Sequence, residues 1–250
     1  MSTLYHAFIY DPLYNVLVFF YDAVPFSDFG VAIILTTILI KVLFYGLSRK
    51  QIESQKKMQE IQPKIKALQE QYKDDKEQQT RAIMECYKEN KVNPFAGCLP
   101  LIIQLVFFIA FYQVIISFTN NNFQVDGDNL YGFIKNPGSV DPLAFGFIDL
   151  IKAAPWIGAL AAIAQYFQTK MLLPPTPAPR KEGEKPDMAQ DIAQMMGKQM
   201  LYIGPALIFF FSFQFPAALS LYWFVSTLLS WGQQRMIFRS TQSETVSAKA

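Results

Sequence analysis

Charge is missing from three long stretches of this 250-residue chain. No Asp, Glu, Lys or Arg occurs from Phe29 to Ile40, from Phe95 to Ser117, or from Gln199 to Gln234. Helices of that composition have no polar face to turn to water, which argues against an ordinary soluble fold. Histidine is scarce too: His6 stands alone, outside those stretches, and reads as an ordinary surface or interface residue. The cysteines are Cys86 and Cys98 only. So few ligands argue against a Cys/His metal site and a disulfide framework. Lys and Arg are absent from Met1 to Asp28. A secretory signal peptide needs a basic n-region, so none is expected there.

What is present is apolar: 52% of residues are hydrophobic and 15% aromatic. About 20 apolar residues at 1.5 Å rise cover a hydrocarbon core of about 30 Å. The expectation is an all-α, polytopic membrane protein with five spans, an N-terminal interfacial helix and a cytoplasmic two-helix hairpin. Residues 1–28 carry the interfacial helix, with Asp11-Pro12 as N-cap and first helical residue. Span one is placed at 29–48, the hairpin at 49–92 and span two at 93–118. An extracytoplasmic loop takes 119–153 and span three 154–173. A Pro/Met-rich cytoplasmic loop takes 174–198, span four 199–215, span five 216–238 and a cytoplasmic tail 239–250. The last two spans separate at Gln214-Phe215-Pro216, because the run from Gln199 to Arg239 is twice too long for one crossing. In the hairpin, Met58, Ile61, Ile65, Leu68 and Tyr72 recur at heptad-like spacing. The second arm offers only Ile83, Met84 and Tyr87, so weak packing and a mobile hairpin are expected.

Basic residues set the orientation. Arg49 to Lys91 holds 11 Lys and Arg, Lys170 to Lys198 holds 5, and the tail holds 3. An odd number of spans gathers these on one side, so the N-terminus is expected outside and the C-terminus inside.

Lys41 is the ionisable residue well inside a span. It lies about 18 Å along the helix from Phe29, and a central Lys costs about 2.5–3.5 kcal/mol on insertion scales. No Asp or Glu falls in any of the five spans. Lys41 either snorkels toward the cytoplasmic headgroups or faces a hydrated cavity. Thr37 lies one helical turn earlier on the same face. Gln104, Gln113, Gln165, Gln168, Ser212, Ser226 and Thr227 sit in the other spans, where each serves either as cavity lining or as interhelical packing glue. No nucleophile stands beside a base and no titratable pair is visible, so the chain does not read as an enzyme.

The stretch Val92-Asn93-Pro94-Phe95-Ala96-Gly97-Cys98-Leu99-Pro100-Leu101-Ile102-Ile103-Gln104 resembles the start of a core span in the YidC/Oxa-type membrane protein insertases. Ile61-Gln62-Pro63-Lys64-Ile65 in the hairpin resembles that family too, as does Phe215-Pro216-Ala217-Ala218-Leu219-Ser220-Leu221-Tyr222-Trp223 at the last turn. The order of elements matches over roughly Asp11 to Arg239. Lys41 stands where the family usually has Arg, and Gly46 where Pro is common. The large extracytoplasmic domain of some relatives is not seen, so the chain resembles the short form.

The resemblance implies an insertase and chaperone in a bacterial-type inner membrane. It implies a groove open to cytoplasm and lipid around Lys41, and Thr37, Gln104, Gln165, Gln168 and Ser226 are placed along it. Phe108, Phe111, Leu221 and Trp223 are expected to guide a substrate's transmembrane segment into lipid. Met58, Ile61, Pro63, Ile65 and Met84 of the hairpin are expected to recruit the substrate. Its partners would be nascent membrane proteins, membrane lipids, the Sec translocon and the ribosome, although the tail is not basic enough to dock a ribosome. Neither cofactor, metal nor nucleotide is implied, insertion would include Sec-independent cases, and a monomer would suffice. Two rivals differ in what they require. A small-solute channel or transporter needs a pore or a midplane site with broken helices. A non-inserting assembly subunit needs a dry Lys41.

Overall fold

A computed structural model describes residues 3–93, 99–173 and 188–247. The Pro-rich linker and residues 94–98 of the Asn93-Pro94 motif lie outside the described residues.

The described residues are helical from Thr3 onward. A short turn α1 (Thr3–Tyr5) and a π-helical stretch His6–Tyr10 run directly into α2 (Asp11–Ala23). Asp11 is therefore not an N-cap, contrary to expectation: Tyr10 before it is itself helical and makes no side-chain cap. The wider π turn falls just before Pro12, whose ring and missing N–H do not fit a regular i→i−4 ladder. Helix α2 packs on its neighbours, with Leu13, Tyr14, Leu17, Val18 and Tyr21 buried.

Helix α3 (Phe29–Leu43) starts at Asp28, whose carboxylate accepts the Val31 N–H at 2.9 Å. This satisfies one of the orphan donors of the first turn. The helix does not continue to Ser48 as expected. It breaks at Phe44, and α4 (Tyr45–Gln71) departs at 67°. Phe44 leaves helical geometry (φ −92°, ψ 11°) while its ring meets Phe107 edge-on at 5.5 Å. Helix α5 (Lys76–Glu89) returns along α4, capped by Asp75, which accepts from the Glu77 and Gln78 N–H groups. The two arms enclose a small core of Ile61, Ile65, Cys86 and Val92, with Met58, Leu68, Ile83 and Tyr87 around it.

Helix α6 (Leu99–Asn120) is followed by a loop that departs from the all-helical pattern, with an isolated antiparallel bridge between Gln124 and Ser139 and a hairpin of two-residue strands, β1 (Leu143–Ala144) and β2 (Ile148–Asp149). Helices α7 (Pro155–Leu172), α8 (Met188–Phe211) and α9 (Ala217–Ser247) complete the bundle. The chain turns between α8 and α9 at Phe215-Pro216. Within α6, Ile102–Asn120 is long and apolar enough to cross a membrane by itself; α3 with α4 passes only as a bent pair, and Leu201–Phe211 is a shorter apolar helix.

Helix α9 is the hub, packing on α7 and α3 and more lightly on α4 and α6. Helix α7 also packs closely on α8, where a methyl at Gly158 would overlap Ser212. The main core gathers at the loop end of the bundle. There Tyr14 stacks on Phe118 at 5.1 Å, and Phe29 meets Phe118 edge-on at 5.8 Å. Val125, Val140, Ala144 and Leu150 of the loop are buried in the same cluster. At the hairpin end, Val42 and Leu43 are exposed instead.

A polar seam along helix α9

The loop end is closed by hydrogen bonds from α2. Asn15 Nδ2 donates to the carbonyls of Asp11 and Asn129, each at 2.8 Å, and Asn15 Oδ1 accepts the Tyr131 N–H at 2.7 Å. The hydroxyls of Tyr14 and Tyr21 accept the N–H groups of Asp126 and Asp141. Burial pushes the Tyr14 hydroxyl above its ordinary pKa, so it stays a neutral phenol at physiological pH. The loop in turn caps α9: the Ala217 N–H donates to the Lys152 carbonyl at 2.9 Å and the Ala218 N–H to the Leu150 carbonyl at 3.0 Å.

The hairpin end differs. Tyr222, Ser226, Ser230 and Gln234 recur every four residues on α9 and so share one face. Gln104 of α6 joins this row: its amide donates to the Tyr222 hydroxyl at 3.1 Å, and its carbonyl oxygen accepts the Ser226 hydroxyl at 3.0 Å. One turn further, Lys41 Nζ donates to Ser230 Oγ at 2.8 Å. Lys41 forms no ion pair among the described residues. Further along, Gln233 Nε2 donates to the Tyr45 carbonyl at 3.4 Å, next to the α3–α4 break. Gln51 Nε2, Gln55 Oε1 and Gln234 Oε1 are buried without a hydrogen-bond partner among the described residues. From Tyr222 to Gln234 the row extends about 18 Å.

Of the expected groove residues, Lys41, Gln104 and Ser226 come together on this seam. Thr37 does not: it is 1% exposed, and its hydroxyl turns back to the Ile33 carbonyl of its own helix at 2.7 Å. Such back-bonding is the ordinary way a helix satisfies a buried threonine. Gln165 donates to Thr169 within α7, and Gln168 is half-buried on the same helix. Gln113 accepts the Tyr5 hydroxyl at 2.8 Å, on the loop side. Sequence reasoning missed Tyr222, Ser230 and Gln234, although their four-residue spacing with Ser226 was there to find.

The expected guiding face divides in two. Phe111 and Leu221 are buried, at 0% and 8% exposure, and Phe111 stacks on Tyr222 at 4.3 Å. Both belong to the main core cluster. Phe108 and Trp223 are half-buried and form a cluster 5.0 Å apart, with Phe215 5.8 Å from Phe108. The hairpin set divides likewise. Ile61 and Ile65 are consumed in the hairpin core, Met58 is half-buried, and Pro63 and Met84 are exposed. Gln59, one turn before Pro63, donates to the Met171 and Leu172 carbonyls at the end of α7, tying the hairpin to the bundle. Among the described residues, no His, Cys, Asp or Glu cluster is placed to hold a metal ion.

Residues 19–244 match the model of the 60Kd inner membrane protein family. The membrane protein insertase YidC of Bradyrhizobium diazoefficiens is 36% identical over 247 residues, covering 93% of this chain and 36% of that protein. Its counterpart in Syntrophobacter fumaroxidans is 34% identical over 233 residues, covering 93% of this chain and 38% of that protein. The Francisella tularensis subsp. novicida protein of the same name is 35% identical over 223 residues, covering 87% and 34%. The chain thus spans a little over a third of the length of the curated relatives it matches. Matched over most of its length, this chain belongs to the 60Kd inner membrane protein family, the YidC/Oxa type that its motifs resemble.

Proposed function

We propose that this chain integrates newly made membrane proteins into a bacterial inner membrane, using the seam around Lys41 as a hydrated groove open to the hairpin side. In this reading the chain crosses the bilayer five times with its N-terminus outside. Span one, in this reading, is the α3–α4 pair bent at Phe44. The segregation of Lys and Arg supports that orientation.

The observation that carries the reading is the bond from Lys41 Nζ to Ser230 Oγ, made without a carboxylate partner. A charged ammonium held only by a hydroxyl inside a membrane needs water or an incoming anion to complete its solvation. The unpartnered amide atoms of Gln51, Gln55 and Gln234 support water on the same side, since buried polar groups are otherwise satisfied. The stitching of the loop end by Tyr14, Asn15 and Tyr21 leaves the hairpin side as the way in.

The mechanism then follows from solvation. A polar, often acidic, segment of a nascent chain meets the ammonium and the Gln104 amide, which lower its cost of entering the membrane. Its apolar segment slides past Phe108 and Trp223 into lipid, and apolar burial drives the transfer. Gln165 and Gln168 extend the polar lining on α7. Met58, Pro63 and Met84 of the hairpin receive the substrate, and a translocon or ribosome would meet the chain on that side. This work needs no nucleotide, metal or catalytic residue, and a single copy suffices.

The test is complementation of an insertase-depleted strain by wild type, Lys41→Arg, Lys41→Ala and Lys41→Glu. Insertion of a single-span protein with a short acidic tail should survive in Lys41→Arg and fail in Lys41→Glu, with the protein still folded. Equal insertion by all four would remove the charge from the mechanism.

A further inference from the structure

Two turns at the loop end of α3 carry phenylalanine where the backbone favours glycine. Phe26 and Ser27 have φ of 67° and 47°, and Phe145 and Gly146 have 55° and 77°. Non-glycine residues enter this left-handed region at a cost, and a bulky side chain there is a reason to look for a role. The side chains at these turns are bare: Phe26 is 101% exposed, Phe145 47% and Phe147 75%.

The turns are locked together. The Asp28 carboxylate caps α3 through the Val31 N–H and with its other oxygen accepts the Phe145 N–H. Strand β1 packs against the start of α3, where a methyl at Gly30 would overlap Ala144 Cβ. Three phenylalanines therefore stand on one rigid platform. No Lys or Arg occurs in Pro25–Asp28 or Leu143–Ile148, and both oxygens of the one carboxylate, Asp28, are already occupied. Exposed phenylalanines with no charge to hydrate fit an apolar or amphipathic surface. The platform adjoins Phe29, the first residue of a helix read as a membrane span, which puts it level with the headgroups.

We propose that Phe26, Phe145 and Phe147 form a wedge that dips into the headgroup–acyl boundary of the leaflet on the loop side. The occupant is lipid, and the wedge fixes the depth of α3. Lys41 lies about 18 Å along that helix from Phe29, so the wedge also sets how far below the surface the ammonium sits. The inference rests on α3 spanning the bilayer and does not need the groove to insert anything.

The test uses the full chain carrying Cys86→Ser and Cys98→Ser, with one nitroxide-labelled cysteine, in phosphatidylcholine–phosphatidylglycerol vesicles. Labels at Phe26→Cys or Phe147→Cys are compared with Gly132→Cys, an exposed site on the same loop. The ratio of collisions with oxygen to collisions with a water-soluble nickel chelate should be several-fold higher at 26 and 147 than at 132. Equal ratios would overturn the wedge and point to a protein partner, since pure lipid would then leave these sites in water. In a second set, Phe26→Asn, Phe145→Asn and Phe147→Ser are combined, because Asn tolerates a left-handed backbone. A label at Val42, exposed on α3, should then shift its ratio at least about twofold as α3 changes depth. An unchanged Val42 ratio with an unchanged melting temperature would overturn the depth-setting role. Both readouts are collisions rather than insertion, so failure here is distinct from failure of the groove.

Discussion

Lys41 Nζ and Ser230 Oγ lie 2.8 Å apart and tie α3 to the hub helix α9, one turn from where Ser226 joins Gln104 of α6. The cation is thus held by a neutral hydroxyl, which positions it without cancelling it. A carboxylate at 230 would cancel it. Ser230→Asp should cut insertion by about tenfold, the effect of roughly 1.4 kcal/mol of lost attraction for substrate. It should leave the melting temperature unchanged or raised, because the half-buried cation gains a counter-charge. Ser230→Ala should keep most activity. Equal activity of Ser230→Asp and wild type in the complementation assay would count against the free charge.

The close approach of α7 and α8 at Gly158 is a packing prediction independent of function. Gly158→Ala places a methyl on Ser212 and should destabilise the chain by about 1–3 kcal/mol. Ser212→Gly in the same chain should recover part of that loss, whereas Ser212→Ala should not, because the overlap includes Ser212 Cβ. Thermal unfolding in detergent of the single and double variants reads the coupling.

Asp28 serves two partners, so its loss should be felt in two elements. Asp28→Ala should cost about 0.5–2 kcal/mol, the usual range for a lost N-cap. Hydrogen exchange should quicken at both Val31 and Phe145. Quickening at Val31 alone would mean that the loop hairpin is held by other contacts.

The loop that caps α9 carries its own pH dependence. Lys152 Nζ lies 2.8 Å from Asp149 Oδ2, and this bond holds the Asp149 carboxyl below the usual carboxylate range. A carboxyl whose folded pKa is depressed stabilises the fold above its unfolded pKa, near 3.9, and loses that contribution as pH falls through the folded value. Protection of the Ala217 and Ala218 amides, which bond to this loop, should therefore drop below about pH 4. Asp149→Asn should flatten the drop. Lys152 is largely exposed and Asp149 partly so, and solvent screening should keep the effect small.

The helical architecture and the turn at Phe215-Pro216 were legible in the sequence, and Lys41 stood out as a candidate, because each has a local signal. Charge-free runs mark helices, Pro marks a turn, and a lone cation in an apolar run stands out. The break at Phe44 was not legible. The apolar pattern runs straight through Phe44, and the one local hint, Gly46 where the family commonly has Pro, does not say that the helix breaks there. Nor was the face of Phe111 legible, since a membrane helix is apolar all round and composition cannot separate core from lipid. The attachment of the loop to Tyr14, Asn15 and Tyr21 joins residues more than 100 apart and leaves no periodic trace. Ser230 could have been found from the four-residue row on α9.

The most direct measurement is the water accessibility of that row. In the Cys86→Ser, Cys98→Ser background, Ser230→Cys and Thr37→Cys are each exposed to a membrane-impermeant maleimide added on the hairpin side, with Met84→Cys as the exposed reference. Maleimides react with the thiolate, and burial in apolar surroundings suppresses its formation. The groove predicts modification at Ser230→Cys within about tenfold of the Met84→Cys rate, and almost none at the buried Thr37→Cys. A Ser230→Cys thiol as unreactive as Thr37→Cys would show a dry seam and contradict the hydrated groove.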